Sequence, residues 1–559
     1  MSPDSPPKDV AVESEAFVEP QAGLAPRSIP RWAWAILGLA LLFNLAVHLR
    51  LGTMPLERDE GEFAYSAVRF LHGDLPYATV YNKKLPGVSY AYALFMLVAG
   101  ETAAAVKLAG TAADIVSIAL LFLIAARLFG PLAGSAAALL YAVMSLAPGV
   151  LGSASHATHF VNAFALGGML ALFAAIERDR LRHWFSSGLL LGVAVMMKQH
   201  AVFLAGLVAL WLFFDHVRRR QSLRAPVLFV LGLATPFGLL AIVLLAGGLM
   251  PAFWLWSVRY AAGYSSGLPP LGILLRFWTR LSGAVDGFVL LWALSAWGFG
   301  HLLTDRGIAH RSRVAFGLFL LAAFLSLLPG LLFREHYFVA FLPVVALGGG
   351  YALQRLQRFL RGRLAFPHLD LGLYLALVAL LVIGLLPNWR YFFVEDPVLL
   401  SRQIYHLNPF SVSPELGRFI KSRTRPEDTI AVMGSEAQIY FYSQRKAATG
   451  FIYVYGLMDG HSYSSQMQRQ MIREIETNRP KIMVVSNIST SWLPTERSDT
   501  TILTWIHRYV RENYRMVALV DIREDMSITK YLDQLDQYLP HSGNNTIYVF
   551  ERSLLAVPP

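Results

Sequence analysis

The sequence contains no cysteine among its 559 residues. That excludes a disulfide framework, a thiolate metal centre and a cysteine nucleophile, so any chemistry has to come from oxygen and nitrogen side chains. Charge is scarce as well. Asp, Glu, Lys and Arg make up 15% of the chain against 55% hydrophobic residues, and the mean hydropathy is +0.46. A chain so poor in charge is not an ordinary soluble globular protein, and it reads as a helical bundle that crosses a membrane many times. Its net charge of +11 is no nucleic-acid footprint, because the basic residues stand in short clusters between apolar runs and no basic stripe with interleaved aromatics appears. Internal repeats are absent, and the only low-complexity tract is the amino-terminal tail.

What is present in quantity is apolar runs. They fall near 32–50, 103–126, 131–150, 160–176, 185–214, 226–250, 284–303, 314–333, 337–353 and 371–388, and about 20 residues are needed to cross a bilayer. Between them lie Arg127, the Arg178 to Arg182 and Arg218 to Arg224 clusters, the Arg306 to Arg313 cluster and the Arg355 to Arg363 cluster, which mark the cytoplasmic ends. On that assignment the run 185–214 crosses twice, with "MMKQHA" at 196–201 as a tight outer turn. By contrast "VSYAYALFMLVA", residues 88–99, makes only about 18 Å of helix, too short to span, and is expected along the outer interface. Eleven crossings follow, with the amino terminus inside and the carboxyl terminus outside.

Residues 1–30 read as a disordered cytoplasmic tail rich in Pro, Glu, Ser and Ala. The run from Trp32 to Leu49 starts too far inside the chain for a signal peptide and reads as an uncleaved anchor. Residues 31–392 are the transmembrane domain. From 393 to 559 the composition is that of a soluble protein, in which helix-like "PELGRFIKSR", "SSQMQRQMIREIE" and "ILTWIHRYVREN" precede strand-like "TIAVMG", "PKIMVVS" and "RMVALVD", with "TIYVFERS" closing the chain. This alternation predicts an α/β domain, placed by parity on the outer side.

The same topology gathers Asp59, Lys84, His156, His159, Lys198, Arg259 and His336 on the outer face. In "RDEGEFAYSAVRF" the acids Asp59 and Glu60 open a helix with Phe63, Ala67 and Phe70 at helical spacing, expected to lie on the membrane. Acids there are explained either by the helix dipole or by a catalytic task. Lys83 and Lys84 are either a snorkelling pair or a grip for an anion. His156 and His159, three apart, are possible ligands of a divalent metal, or simply two helix-end histidines. Within the second crossing Lys107 is near the outer end and Asp114 deeper. A charge at mid-bilayer costs about 2.5 to 3.5 kcal/mol, so Asp114 should face the bundle interior and find a partner. "FWLWSVRYAAGY" with Arg259, Tyr260 and Tyr264 reads equally as an aromatic belt or a sugar-stacking loop, and "FREHYFVAFLP" sets Arg334, Glu335, His336 and Tyr337 at the outer start of a crossing.

Taken in order, these segments resemble the membrane glycosyltransferases of the GT-C superfamily, in particular the bacterial branch related to protein O-mannosyltransferases and to the aminoarabinose transferase that modifies lipid A. The resemblance rests on the acidic "DE" after the first helix, the "KLPG" loop from Lys84 to Gly87, the "KQ" hairpin of Lys198 and Gln199, and "HYFVAFLP", and it covers roughly residues 30–390. It implies a polytopic GT-C bundle that transfers a sugar from a polyprenyl-phosphate donor to an extracytoplasmic hydroxyl of a cell-envelope glycan, lipid or protein. Asp59, with Glu60 beside it, takes the catalytic acid position as general base. Lys84, Lys198, Arg259, His336 and Tyr337 are the expected donor-phosphate residues. The resemblance fixes no cofactor, and a divalent metal is compatible with it. Partners are then the lipid donor, the acceptor and membrane lipids, without nucleic acid, in a bacterial inner membrane. The chain departs from relatives that carry a carboxylate in the loop before the fourth crossing, where "SASHATHF" stands, so a histidine, Glu60 or Glu62 would have to do that work. Two rival classes are a transporter or flippase of a lipid-linked or anionic substrate, and a non-catalytic receptor using the outer domain.

Overall fold

The computed structural model describes residues 29–261, 268–363, 366–461, 463–525, 527–533, 535 and 545–553. The expected tail lies outside these residues except for its last two positions, and Tyr264 lies outside them too. Each of the ten apolar runs contains a helix. Among the described residues, seven helical segments are long and apolar enough to cross a membrane: Arg31–Leu51, Ala103–Leu128, Ala157–Arg178, Gln199–Arg218, Arg224–Ala246, Glu335–Arg361 and Leu369–Phe393. Four more predicted positions hold shorter helices, Pro131–Met144, Leu181–Met197, Val289–Thr304 and His310–Leu325, of 14 to 17 residues.

Burial explains how the bundle is read from its sequence. On Arg31–Leu51 only a stripe of Ala33, Leu37, Ala40, Asn44, Val47 and Leu51 is buried. Leu39, Leu42 and Leu49 point outward, as side chains facing lipid do. Leu342–Arg361 is instead buried over nearly its whole apolar length, which places it at the bundle centre. Close backbone approach comes from small residues: a Cβ on Gly188 would run into the carbonyl of Phe229, and one on Gly232 into that of Phe185. Small residues at such crossings are the usual way membrane helices pack.

The run 185–214 is a hairpin, Leu181–Met197 followed by Val202–Arg218, broken at Lys198 by extended backbone and at Gln199–Ala201 by a 3-10 turn. The sequence reading did not anticipate Pro270–Val285, a helix that meets Val289–Thr304 at 102°. Its Leu271, Leu274, Leu275 and Trp278 are exposed.

The carboxyl-terminal domain is a six-stranded mixed sheet. Its strands are β1 (Thr429–Met433), β2 (Lys446–Ala447), β3 (Ile482–Asn487), β4 (Tyr514–Ile522), β5 (Ile528–Leu532) and β6 (Thr546–Arg552), in the order β2-β1-β3-β6-β4-β5. β1 pairs in parallel with β2 and β3, while β3, β6, β4 and β5 pair antiparallel in turn. Ser464–Asn478 and Thr501–Asn513 each bury one stripe, Met467, Met471 and Ile475 on the first and Ile502, Trp505, Ile506 and Val510 on the second. That is the three-to-four-residue periodicity of an amphipathic helix covering a sheet.

One expectation is overturned where the two parts meet. Arg58–Leu71 does not lie on a membrane surface, because Arg58 and every residue from Glu60 to Ala67 are buried. The helix Ala437–Ser443 packs against it, so closely that a Cβ on Gly61 would overlap the backbone of Gln438. Its amphipathic pattern is spent on two protein surfaces, the bundle and the outer domain.

Candidate active site

The chain leaves Arg31–Leu51 and enters Arg58–Leu71 through a capping box. The Glu57 side chain accepts from the Glu60 amide at 2.8 Å, and the Glu60 side chain accepts from the Glu57 amide at 3.1 Å. Glu60 Oε1 also accepts from Lys107 Nζ at 2.6 Å and from the Ser155 amide at 2.8 Å. Glu60 is thereby consumed in holding the helix start to the bundle. Of Asp59 and Glu60, read from the sequence as a possible helix cap, only Glu60 takes that part, reciprocally with Glu57.

Asp59 and Glu62, three residues apart, share another face of the helix. Between them lies Lys84, whose ammonium donates to Asp59 at 2.9 Å and to Glu62 at 2.5 Å, and stands 4.5 Å from the centre of the Phe63 ring and 5.1 Å from that of Tyr453. The loop that presents it is pinned locally: the Lys84 amide donates to Asn82 at 2.8 Å, and Tyr77 donates to the Lys84 carbonyl at 3.2 Å. Gln199 donates to the Lys83 carbonyl at 2.6 Å, tying this loop to the hairpin turn that carries Lys198.

Together these groups border one cavity of about 700 Å³ at the end of the bundle beneath the sheet domain, within the size range of small-molecule sites. Asp59, Lys84, His156, Lys198, His336 and Tyr337 all line it. The Lys198 ammonium makes no hydrogen bond among the described residues and sits 4.1 Å over the Tyr337 ring. The rings of His156 and His336 stack at 4.1 Å with 20° between their planes.

The charges are strongly coupled. Burial alone would raise the Asp59 carboxyl, but Lys84, His156 and Lys198 beside it more than reverse this and hold it well below the usual carboxylate range. Burial works against the Lys84 ammonium, yet Asp59 and Glu62 push it above the ordinary lysine value. Burial raises Glu62 and, with Asp59 and Glu60 adding to it, brings Glu57 up to about 8. Burial also draws Lys198 down to about 7, Lys83 to about 8 and His156 to about 3, leaving that imidazole neutral.

Three expected residues are not brought to the cavity wall. Glu60 is turned into the capping box. His159 points away and bonds Asp114 at 2.7 Å, so it is not the partner of His156 that the spacing suggested. Arg259 is exposed: over Trp254–Tyr260 the helix widens to a π-turn that buries Trp256, while Ser257, Val258 and Tyr260 line the cavity. Sequence reasoning missed Arg280, Tyr405 and Asn408 on the wall. Arg280 pairs with Glu335, and its helical spacing from Arg276 was the available signal. Tyr405 and Asn408 follow the last crossing, where no motif pointed.

Arg58 works as a tether. Its guanidinium donates to the Ser435 carbonyl at 2.7 Å, Tyr455 at 2.6 Å, Asn408 at 3.0 Å and Glu436 at 2.9 Å, clamping the motif to the outer domain. Of the four tyrosines in that domain singled out as core or site, Tyr440 and Tyr442 accept from the Val432 and Leu56 amides, whereas Tyr453 and Tyr455 face the cavity.

A divalent cation has a donor set of suitable type in Asp59, His156 and His336, whose ligand atoms lie within 4.8 Å of one another. The fit is poor nonetheless, because Asp59 is already engaged by the Lys84 ammonium and Lys198 adds a second positive charge beside it.

A family model described as dolichyl-phosphate-mannose-protein mannosyltransferase matches residues 83–245, a segment that contains Lys84, His156 and Lys198. No curated protein sequence matches significantly. Among solved structures, ArnT from Cupriavidus metallidurans bound to undecaprenyl phosphate is similar with a TM-score of 0.60 at 15% identity, over 94% of this chain and 99% of that one. The archaeal oligosaccharyltransferase AglB from Archaeoglobus fulgidus, in complex with an inhibitory peptide and a dolichol-phosphate, is similar with a TM-score of 0.53 at 12% identity, over 94% of this chain and 77% of that one. At these identities the likeness is one of fold. The chain is an integral membrane protein of GT-C architecture with a carboxyl-terminal sheet domain, resembling the ArnT and protein mannosyltransferase type.

Proposed function

We propose that this protein transfers a sugar from a polyprenyl-phosphate donor to a hydroxyl of an extracytoplasmic acceptor, with Asp59 as general base. The observation that carries the reading is the juxtaposition, in one cavity at the bundle end, of the carboxylate of Asp59 with two ammonium groups, Lys84 and the unbonded Lys198. The fold relatives found with undecaprenyl phosphate or dolichol-phosphate support the donor class. The cavity opens at the end of the bundle, where a lipid-borne headgroup emerges, rather than at mid-bundle, where a transporter keeps its site.

In the reaction the acceptor oxygen attacks C1 of the sugar and its proton passes to the Asp59 carboxylate, while the bond from C1 to the phosphate oxygen breaks and polyprenyl phosphate leaves. Its developing charge is met by Lys84 and Lys198. A carboxylate held as low as Asp59 is a poor base. A phosphate drawn to Lys84 takes that ammonium away from Asp59 and restores its basicity only once the donor is bound. The two ammonium groups supply the positive charge that a metal would otherwise bring, so EDTA should leave the rate unchanged. In this reading the protein sits in a bacterial inner membrane with the sheet domain outside.

The test is transfer of radiolabel from a panel of undecaprenyl-phosphate monosaccharides into a membrane fraction, by wild type and Asp59→Asn at matched folded protein. Labelling by wild type alone is the expected result. Equal labelling by both would remove Asp59 from the chemistry, and no labelling from any donor would turn the reading toward transport.

A further inference from the structure

The cavity contains a group that the phosphate-binding scheme does not use. His156 is 3% exposed and stands immediately before Ala157–Arg178, at the N-cap position, without a side-chain hydrogen bond to the helix start. Its ring is held in one plane by the stack on His336, and the two backbones are tied together by Thr158, which donates to the His336 carbonyl at 3.0 Å. Yet Nε2 is buried without a hydrogen-bond partner among the described residues, and Nδ1 stands 3.7 Å from Glu57 Oε1, beyond an ordinary hydrogen bond. Leaving a buried polar atom unmatched costs about 1 to 3 kcal/mol, so a rigidly held imidazole with a free nitrogen is built to meet a ligand.

The ligand is not the phosphate. Burial keeps this ring neutral, and the anion is served by Lys84, which holds Asp59 Oδ1, and by Lys198. What suits the space between a carboxylate oxygen and one nitrogen of a neutral imidazole lying within 4.8 Å of it is a single hydroxyl, whose oxygen can sit about 2.7 to 3.0 Å from each.

We propose that His156, braced by His336, forms the acceptor-hydroxyl subsite: its imidazole holds the acceptor oxygen while that oxygen gives its proton to Asp59 and attacks C1. The imidazole donates one hydrogen bond to the oxygen and neither gains nor loses a proton in the step. One oxygen lone pair is occupied by that bond and the other is left to the sugar carbon. A histidine in the "SASHATHF" loop thus selects a hydroxyl acceptor. The proposal rests on the transferase reading.

The experiment compares wild type, His156→Ala and His156→Gln in lipid nanodiscs with undecaprenyl-phosphate monosaccharide. Transfer into a membrane fraction is measured beside donor hydrolysis without it, in which water is the acceptor. The expected result for His156→Ala is a fall of about a hundredfold in transfer, with donor affinity within about threefold of wild type, and at least partial rescue by His156→Gln, which returns an N–H donor. Parallel loss of transfer, hydrolysis and donor affinity in both variants would overturn the assignment, as would unchanged transfer. So would wild-type activity abolished by EDTA and restored by Mn²⁺, with Mn²⁺ binding lost in His156→Ala, which would make His156 a metal ligand. If wild type neither transfers nor hydrolyses any donor, the transferase reading fails and the subsite with it. An active wild type with an indifferent His156→Ala fails the subsite alone.

Discussion

The bundle carries two aspartates within a short distance in sequence of its first crossings, and it holds them in opposite ways. Around Asp114 every bond closes on the protein: His159 at 2.7 Å, His48 at 3.2 Å and Tyr141 at 3.3 Å surround a carboxylate with 0% exposure. Asn162 extends this cluster by donating to Tyr141 at 3.0 Å and to the Val339 carbonyl at 2.8 Å, so the cluster pins five helical segments together. Among the described residues Asp59 pairs directly with Lys84, and its side chain is 21% exposed at the edge of the cavity. An intramembrane charge is read by default as functional. In the proposed reading the deeper, better-paired acid is a structural fastening and the incompletely enclosed one is the reacting group.

The sharpest way to break that comparison is to remove each carboxylate while keeping its shape. Asp59→Asn should lower transfer by about 10² to 10⁴, the usual worth of a general base, with thermal unfolding in detergent little changed. Asp114→Asn should do the reverse, lowering stability by about 1 to 3 kcal/mol through the unmatched imidazoles while the folded fraction keeps its turnover. Lys84→Gln sharpens the cavity side of the contrast: losing a charge-assisted contact worth about 1.5 to 3 kcal/mol should weaken donor binding by roughly 10- to 100-fold, measured by titration with undecaprenyl phosphate.

A smaller effect is expected from Lys198. Its ammonium is charged below about pH 7 and neutral above, so donor affinity should fall as pH rises through that value, by on the order of tenfold. Lys198→Arg should flatten the profile. The smallest change should come from Arg259→Ala, exposed and away from the cavity wall, with donor affinity within about twofold of wild type.

Much of this contrast was legible in the sequence. Apolar runs and arginine clusters located the helices, because hydrocarbon demands long apolar segments with charged ends, and the interruption at Lys198 was readable as a turn. The need of Asp114 for partners followed from the cost of a buried charge, though not which partners, since His48 and His159 lie on other helices. Asp59, Lys84, Lys198 and His336, which the structure brings to one cavity, were singled out because the topology put them on the outer face and the family resemblance runs through their segments. Glu60 was misplaced because sequence spacing does not show which acid of "RDEGE" turns into the capping box, and Arg259 because a π-turn shifts the face a residue presents. Nor could local pattern reveal that Arg58–Leu71 is covered by Ala437–Ser443, a contact between segments almost four hundred residues apart.

The most direct measurement is a cryo-EM map of the protein in nanodiscs with undecaprenyl phosphate. The account predicts phosphate density between Lys84 and Lys198, with the Lys84 ammonium withdrawn from Asp59. Phosphate density at the bundle middle, or a cavity left empty at saturating lipid, would contradict it.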